Sequence, residues 1–228
     1  MLSSLTMETA PIVLASASPR RRRLIAWLGV QVAITATDTP EDLSAPLPPA
    51  RLAATLAADK ARAARAIGAC TGTILAFDTI VVADGQVLGK PADRDDARRM
   101  LALLSGEMHE VVTGVALFAA GMAEPATFAV STPVAMRALE ETTVDAWVAG
   151  DEVLGCAGAY NIERHLASVD DDQCFQNVAG LPLCHVYAAL VSGIPGVAPS
   201  GLTAPVDRCD ATLGRRCALG PRVCESAS

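Results

Sequence analysis

Apolar residues in this chain come as short continuous runs alternating with stripes at helical spacing, the pattern of an α/β protein. The run 12–15 (Ile-Val-Leu-Ala) is followed by Ser16-Ala17-Ser18-Pro19, after which Leu24, Ile25, Trp27 and Leu28 recur at helical spacing up to Gly29. This predicts strand, turn and helix. A proline-rich connection over 40–49 leads to a long alanine-rich helix over about 50–67. Residues 73–82 read as a strand, and Asp84-Gly85 is a strong signal for a two-residue hairpin returning through Val87 and Leu88 to Lys90. Asp93 is placed to cap a helix whose apolar face is Met100, Leu101, Leu103 and Leu104, ending before Gly106. Strands are predicted at 111–118 and 127–138, a short helix at 143–149 and a final helix at 180–191. From Ser192 onward Gly and Pro recur and periodicity fades. Residues 194–228, with Cys209, Cys217 and Cys224, read as a mobile extension of a domain spanning 1–193.

Composition fits this picture. At 228 residues and 51% hydrophobic, the chain can bury roughly 70% of its unfolded surface in one substantial domain or in two lobes sharing a cleft. A net charge of −7 argues against a binder of nucleic-acid polymers, so any phosphate ligand is small and locally held. Seven cysteines, odd in number and without a CxxC pair, fit reduced thiols in a cytoplasm better than a disulfide scaffold. No run approaches the ~20 apolar residues of a membrane span. The expectation is a soluble cytoplasmic protein.

Candidate chemistry begins with Ser18-Pro19, a good helix start, and the four arginines Arg20 to Arg23 that follow. Positive charge is disfavoured in a first helical turn. Free N–H groups beside guanidinium groups make an anion site; the alternative is a solvated basic patch or a run like a nuclear-localisation signal. Lys60 falls on the apolar stripe of the long helix with Leu52 and Leu56, either snorkelling to the surface or facing a phosphate in a cleft. Asp78 interrupts the apolar run 74–82, where a carboxylate must be paired, bind metal or face a cleft. The hairpin register sets Thr79 opposite Lys90, one step from Asp78. Strict register puts Lys90 on the Thr79 face, whereas a bulge at Gly89 moves it to the Asp78 face, where it would form either a structural ion pair with Asp78 or part of a site. Asp38, Glu41 and Asp42 form an acidic loop cluster, ordinarily a solvated turn, from which one member could join Asp78 around a divalent ion. His109, His165 and His185 have no metal-ligand spacing. There is no GxSxG elbow and no P-loop.

Taken together these segments resemble the Maf family of nucleotide pyrophosphatases. The matching pieces are Leu14-Ala15-Ser16-Ala17-Ser18-Pro19-Arg20-Arg21, Asp59-Lys60-Ala61-Arg62, Asp78-Thr79-Ile80-Val81-Val82, Gly89-Lys90-Pro91, Leu104-Ser105-Gly106 with His109, Ala157-Gly158-Ala159-Tyr160, and the run 177–183 from Asn177 to Leu183. The resemblance implies a mixed, twisted sheet with flanking helices in two lobes around a cleft, like inosine triphosphate pyrophosphatases. It also implies homodimers, and cleavage of a nucleoside triphosphate to monophosphate and pyrophosphate with a divalent metal (Mg, Mn or Co).

By the same resemblance Asp78 matches the proton acceptor, Ser16, Arg20, Arg21, Lys60 and Lys90 match phosphate-handling positions, and Glu41 matches an acidic position that would share a metal with Asp78. Arg20 and Thr79 look like the branch acting on dTTP and UTP. Glu163 stands where that branch carries glutamine; an ionised glutamate only accepts hydrogen bonds, which also suits guanine or a methylated guanine. An m7GTP-type pyrophosphatase is therefore one alternative. A non-catalytic nucleotide-binding regulator of septum formation is another.

Overall fold

The computed structural model describes residues 12–68, 72–192 and 199–226. The boundary expected at 193–194, like residues 1–11, lies outside them. The chain runs through β1 (Ile12–Ala15), α1 (Pro19–Ile25), β2 (Val32–Ile34), α2 (Pro49–Ala66), β3 (Thr73–Ala83), β4 (Gln86–Leu88), α3 (Arg94–Leu104), β5 (Met108–Phe118) and β6 (Ala126–Met136). It continues through α4 (Glu141–Val148), a run of short 3-10 turns over 151–164, β7 (Ala167–Ser168), α5 (Phe175–Val178), α6 (Leu183–Ser192), α7 (Val206–Leu213) and α8 (Leu219–Glu225).

The strands form one mixed sheet in the order β2-β1-β3-β5-β6-β7, with β4 also on β3. β1 is parallel to β2 and β3, and the remaining pairs are antiparallel. The mixed α/β sheet expected from the sequence is thus present. Alternation along β3 sends Leu75, Phe77 and Val81 into the larger core, beneath α1, α3 and α6. Ile74, Ala76 and Ile80 go to the opposite face, beneath α2. The hairpin forms as predicted: Val81 pairs with Leu88, and Asp84 and Gly85 both have positive φ (46° and 70°), as a type I′ turn requires.

One edge of β3 is interrupted. β1 pairs with its first half as far as Ala15↔Ala76, and β4 pairs with its second half from Val81↔Leu88. Residues 77–80 lie in the gap between them, while the other edge of β3 stays paired to β5, with Asp78 opposite Gly114. Gly114 also seats α2: a Cβ there would lie 2.0 Å from the Ala53 carbonyl oxygen, so only glycine lets the helix backbone settle onto the strand.

The C-terminal extension carries two helices that the sequence did not predict: α7 and α8 place Cys209 and Cys224 in buried positions, and α8 packs on α6. Here the thiols act as small apolar residues, so a pattern that counted cysteine only as a reactive group found no buried stripe. The helix expected at 180–191 begins later, at Leu183, because Gly180 (φ 100°) and Pro182 interrupt it. No helix among the described residues is long and apolar enough to cross a membrane.

Candidate functional site

The gap in β3 opens into a cleft of about 840 Å³ that reaches from the β1–α1 turn to the 3-10 turns after α4. It lies at the carboxyl end of β1, the end at which α/β sheets usually present ligand sites. Ser16, Arg20, Arg21, Glu41, Lys60, Asp78, Thr79 and Lys90 all line it. The sequence therefore located all but one of its candidates in a single cleft.

The start of α1 is built as expected. Ser18 Oγ accepts from the Arg21 backbone N–H, Pro19 occupies the first turn, and Ser16 Oγ accepts from the Ser18 N–H at 3.2 Å. The helix then directs its first two arginines to different tasks. Arg20 reaches across the cleft, where its Nη1 lies 3.0 Å from Cys156 Sγ. Arg21 donates from Nε to the Gly180 carbonyl (2.8 Å), from Nη1 to the Phe77 carbonyl (2.9 Å) and from Nη2 to Thr79 Oγ1 (2.9 Å). It thus satisfies a strand carbonyl in the very gap where β1 and β4 are missing. Burial pulls the Arg21 pKa down, opposed by Asp78 and Glu41 and reinforced by Arg20.

Thr79 passes the contact on. Its hydroxyl is 2.9 Å from Thr113 Oγ1, which donates to the Asn177 carbonyl at 3.2 Å. Asn177 in turn donates its amide to the carbonyls of Val111 and Val130. Arg21 therefore ties α1, β3, β5 and α5 into one support.

Asp78 points to the α2 face. Its carboxylate is 4% exposed and is paired with Lys60 Nζ, which also lies 2.7 Å from Glu41 Oε1. Burial alone would push Glu41 up, but the hydrogen bond and charge of Lys60, together with Lys90 and Arg21, hold it below the usual carboxylate range. Of the arrangements the hairpin left open, an Asp78–Lys90 pair is not the one formed; Asp78 pairs with Lys60. β4 ends at Leu88, so no ladder carries Lys90 to Thr79, and the Lys90 ammonium is instead 3.8 Å from Glu41 and largely exposed. Lys60 reaches Asp78 because α2 is seated on Gly114, the residue opposite Asp78.

The acidic loop splits by role. Asp38 lines the cleft and Glu41 faces the two lysines, whereas Asp42 accepts from the N–H and Oγ of Ser44 in a local turn. Glu163 is the candidate that the structure does not bring in. It pairs with Arg23 at the rim and is not among the residues lining the cleft. Arg23, its partner, is half-exposed.

The far wall was missed. Glu152 and Arg164 form an ion pair there at 2.8 Å, buttressed by Asn161, and Cys156 and Tyr160 complete the wall. Short irregular turns carry these residues, so no periodicity marked them. His109 lies 2.8 Å from the Tyr160 hydroxyl, and burial lowers its pKa to about 4.

An interrupted strand edge, a buried carboxylate and converging cations define the class: an α/β protein with a cleft for a small polyanion. The particular family follows from sequence comparison. The chain belongs to the Maf-like protein family, whose model matches residues 11–192. Among its relatives is a protein of Geobacter metallireducens named dTTP/UTP pyrophosphatase, 43% identical over 190 residues, covering 80% of this chain and 96% of that one. One of Vibrio cholerae with the same name is 38% identical over 181 residues, covering 78% and 95%. Among solved structures, the Staphylococcus aureus Ham1 protein overlaps 55% of this chain and 71% of its own at 15% identity and a TM-score of 0.39. Residues 199–226 lie beyond the family match.

Proposed function

We propose that this protein hydrolyses dTTP and UTP to the monophosphate and pyrophosphate, with Asp78 as the base. The observation that carries the reading is a nearly buried carboxylate in an unpaired strand gap, beneath a cleft that also holds Arg20, Lys60 and Lys90. The names of relatives that match along nearly their whole length support the pyrimidine substrates.

A triphosphate brings about four negative charges, and a unit pair at ~4 Å is worth on the order of 4 kcal/mol at an effective dielectric of 20 before desolvation. Several cations are needed. Arg20, Lys60 and Lys90 take the phosphate oxygens, while Arg21, with three of its N–H donors committed to the protein, chiefly fixes the gap and leaves its remaining two for substrate. When Lys60 turns from Asp78 to the phosphates, the freed carboxylate can orient and deprotonate a water for attack on the α phosphorus. Such a role is worth typically ~10² to 10⁴ in rate.

Glu41 and Asp78 aim their carboxylates at one point, now filled by the Lys60 ammonium. That donor set fits Mg²⁺ or a similar ion, which takes one or two carboxylates and completes its shell with water and phosphate oxygens. Bound there, the ion would polarise the anhydride and offset the charge of the leaving pyrophosphate.

The test is product identity. With divalent metal, dTTP and UTP are expected to give pyrophosphate and the monophosphate, and Asp78→Asn to cut kcat at least ~100-fold while leaving the circular dichroism spectrum unchanged. Release of orthophosphate from the γ position would overturn the reading. Because Glu163 is held at the rim by Arg23, Glu163→Gln is expected to leave the ranking of UTP and dTTP over GTP unchanged, as a kcat/KM panel would show.

A further inference from the structure

Five of the seven cysteines converge at the seam between the family domain and the C-terminal extension. A small cavity there is lined by Cys174, Cys184, Cys209 and Cys217, and Cys224 abuts Cys184 from α8. All six described cysteines are thiols. Four of the five neighbour one another in pairs: the side chain of Cys184, on α6, faces that of Cys224, and the side chain of Cys209 faces that of Cys217, with Cys174 beside them. Gly220 allows the approach, since a Cβ there would sit 3.3 Å from Cys184 Sγ and 3.7 Å from Cys217 Sγ. No group of three or more such ligands among the described residues is arranged to hold a metal, so pairwise chemistry fits better than a metal centre.

We propose that Cys209/Cys217 and Cys184/Cys224 are two redox pairs, which a small-molecule disulfide such as oxidised glutathione converts to disulfides that fasten the extension to itself and to α6. In the first pair the thiolate of Cys217, the least buried of the five, attacks one sulfur of the small disulfide and expels one small thiolate. The Cys209 thiolate then attacks the Cys217 sulfur, forming the protein disulfide and releasing the second small thiolate. The protein pair loses two electrons and two protons, and the small disulfide becomes two thiols. The second pair reacts in the same way when α8 lifts from α6. Burial pushes the thiols of Cys184, Cys209 and Cys224 up, which lowers their thiolate fraction and makes exchange at them slow.

The experiment treats the reduced full-length protein with oxidised glutathione, alkylates the remaining thiols and maps peptides by mass spectrometry without reduction. Four of the seven thiols are expected to be lost, with peptide links Cys209–Cys217 and Cys184–Cys224. Cys217→Ser should abolish only the first link and Cys224→Ser only the second. On a non-reducing denaturing gel, a chain cleaved between α6 and α7 should stay joined only when the second link is present. The proposal is overturned if every thiol remains alkylatable, if glutathione stays on Cys217 as a stable adduct, or if Cys174 or a second chain joins the links. Formation of the first link alone overturns the fastening to α6. Stoichiometric metal that shields the thiols overturns the pairwise reading.

Discussion

Arg21 shows how much one side chain can decide. Its three hydrogen bonds hold a carbonyl, a hydroxyl and a loop around the gap in β3. Lysine would bring the same charge without the planar fork, so Arg21→Lys should lower stability in urea by about 3 kcal/mol, with a fall in kcat larger than the rise in KM. His109 sets an acid limit. Its folded pKa of about 4 lies below the ordinary 6.5, so the unfolded chain binds the extra proton first. Its contribution is therefore full above pH ~6.5 and is lost as pH falls towards 4, on the order of 3 kcal/mol in all. Urea titrations across that range should show a shallower loss in His109→Gln. At this scale the sequence revealed that Asp78 needs a partner, because a charge in an apolar run must be compensated. It did not reveal that the partner is Lys60, because the choice between two lysines depends on how closely α2 approaches β5.

That approach belongs to the elements. Strands, the Asp84-Gly85 hairpin and the caps at Ser18 and Asp93 were legible, since each is written in local spacing and turn chemistry. The interrupted edge of β3 was not, because it depends on where two other strands stop. Gly114 read only as a residue within a strand, yet the backbone of α2 rests on it. Gly114→Ala is expected to push α2 outward, cost about 3 kcal/mol or more in a denaturation experiment and reduce turnover, although the residue touches no substrate. Normal activity and stability in that variant would show that α2 can reseat without moving Lys60.

Over the whole molecule, the extension is a second layer of support. Thr203 N–H donates to the Leu28 carbonyl at 2.9 Å, just beyond α1. Gln176 on α5 reaches Cys209 at 3.8 Å, beside the Asn177 that supports Thr113 and Thr79. A chain ended at Ser192 should fold but melt roughly 5–10 °C lower, a few kcal/mol for a protein of this size, as calorimetry would show. The chain carries a net charge of −7, so the cations Arg20, Arg21, Lys60 and Lys90 that line the cleft run against its overall charge. Lys60 gives this arrangement a further property. Lying between Glu41 and Asp78, it is a counter-ion supplied by the chain itself, and the two carboxylates are never left to repel each other across an empty site. Chelating all divalent ions should therefore leave the melting temperature almost unmoved, whereas Lys60→Met should make it rise steeply with added Mg²⁺. The protein would then depend for its folding on an ion that the lysine now lets it do without.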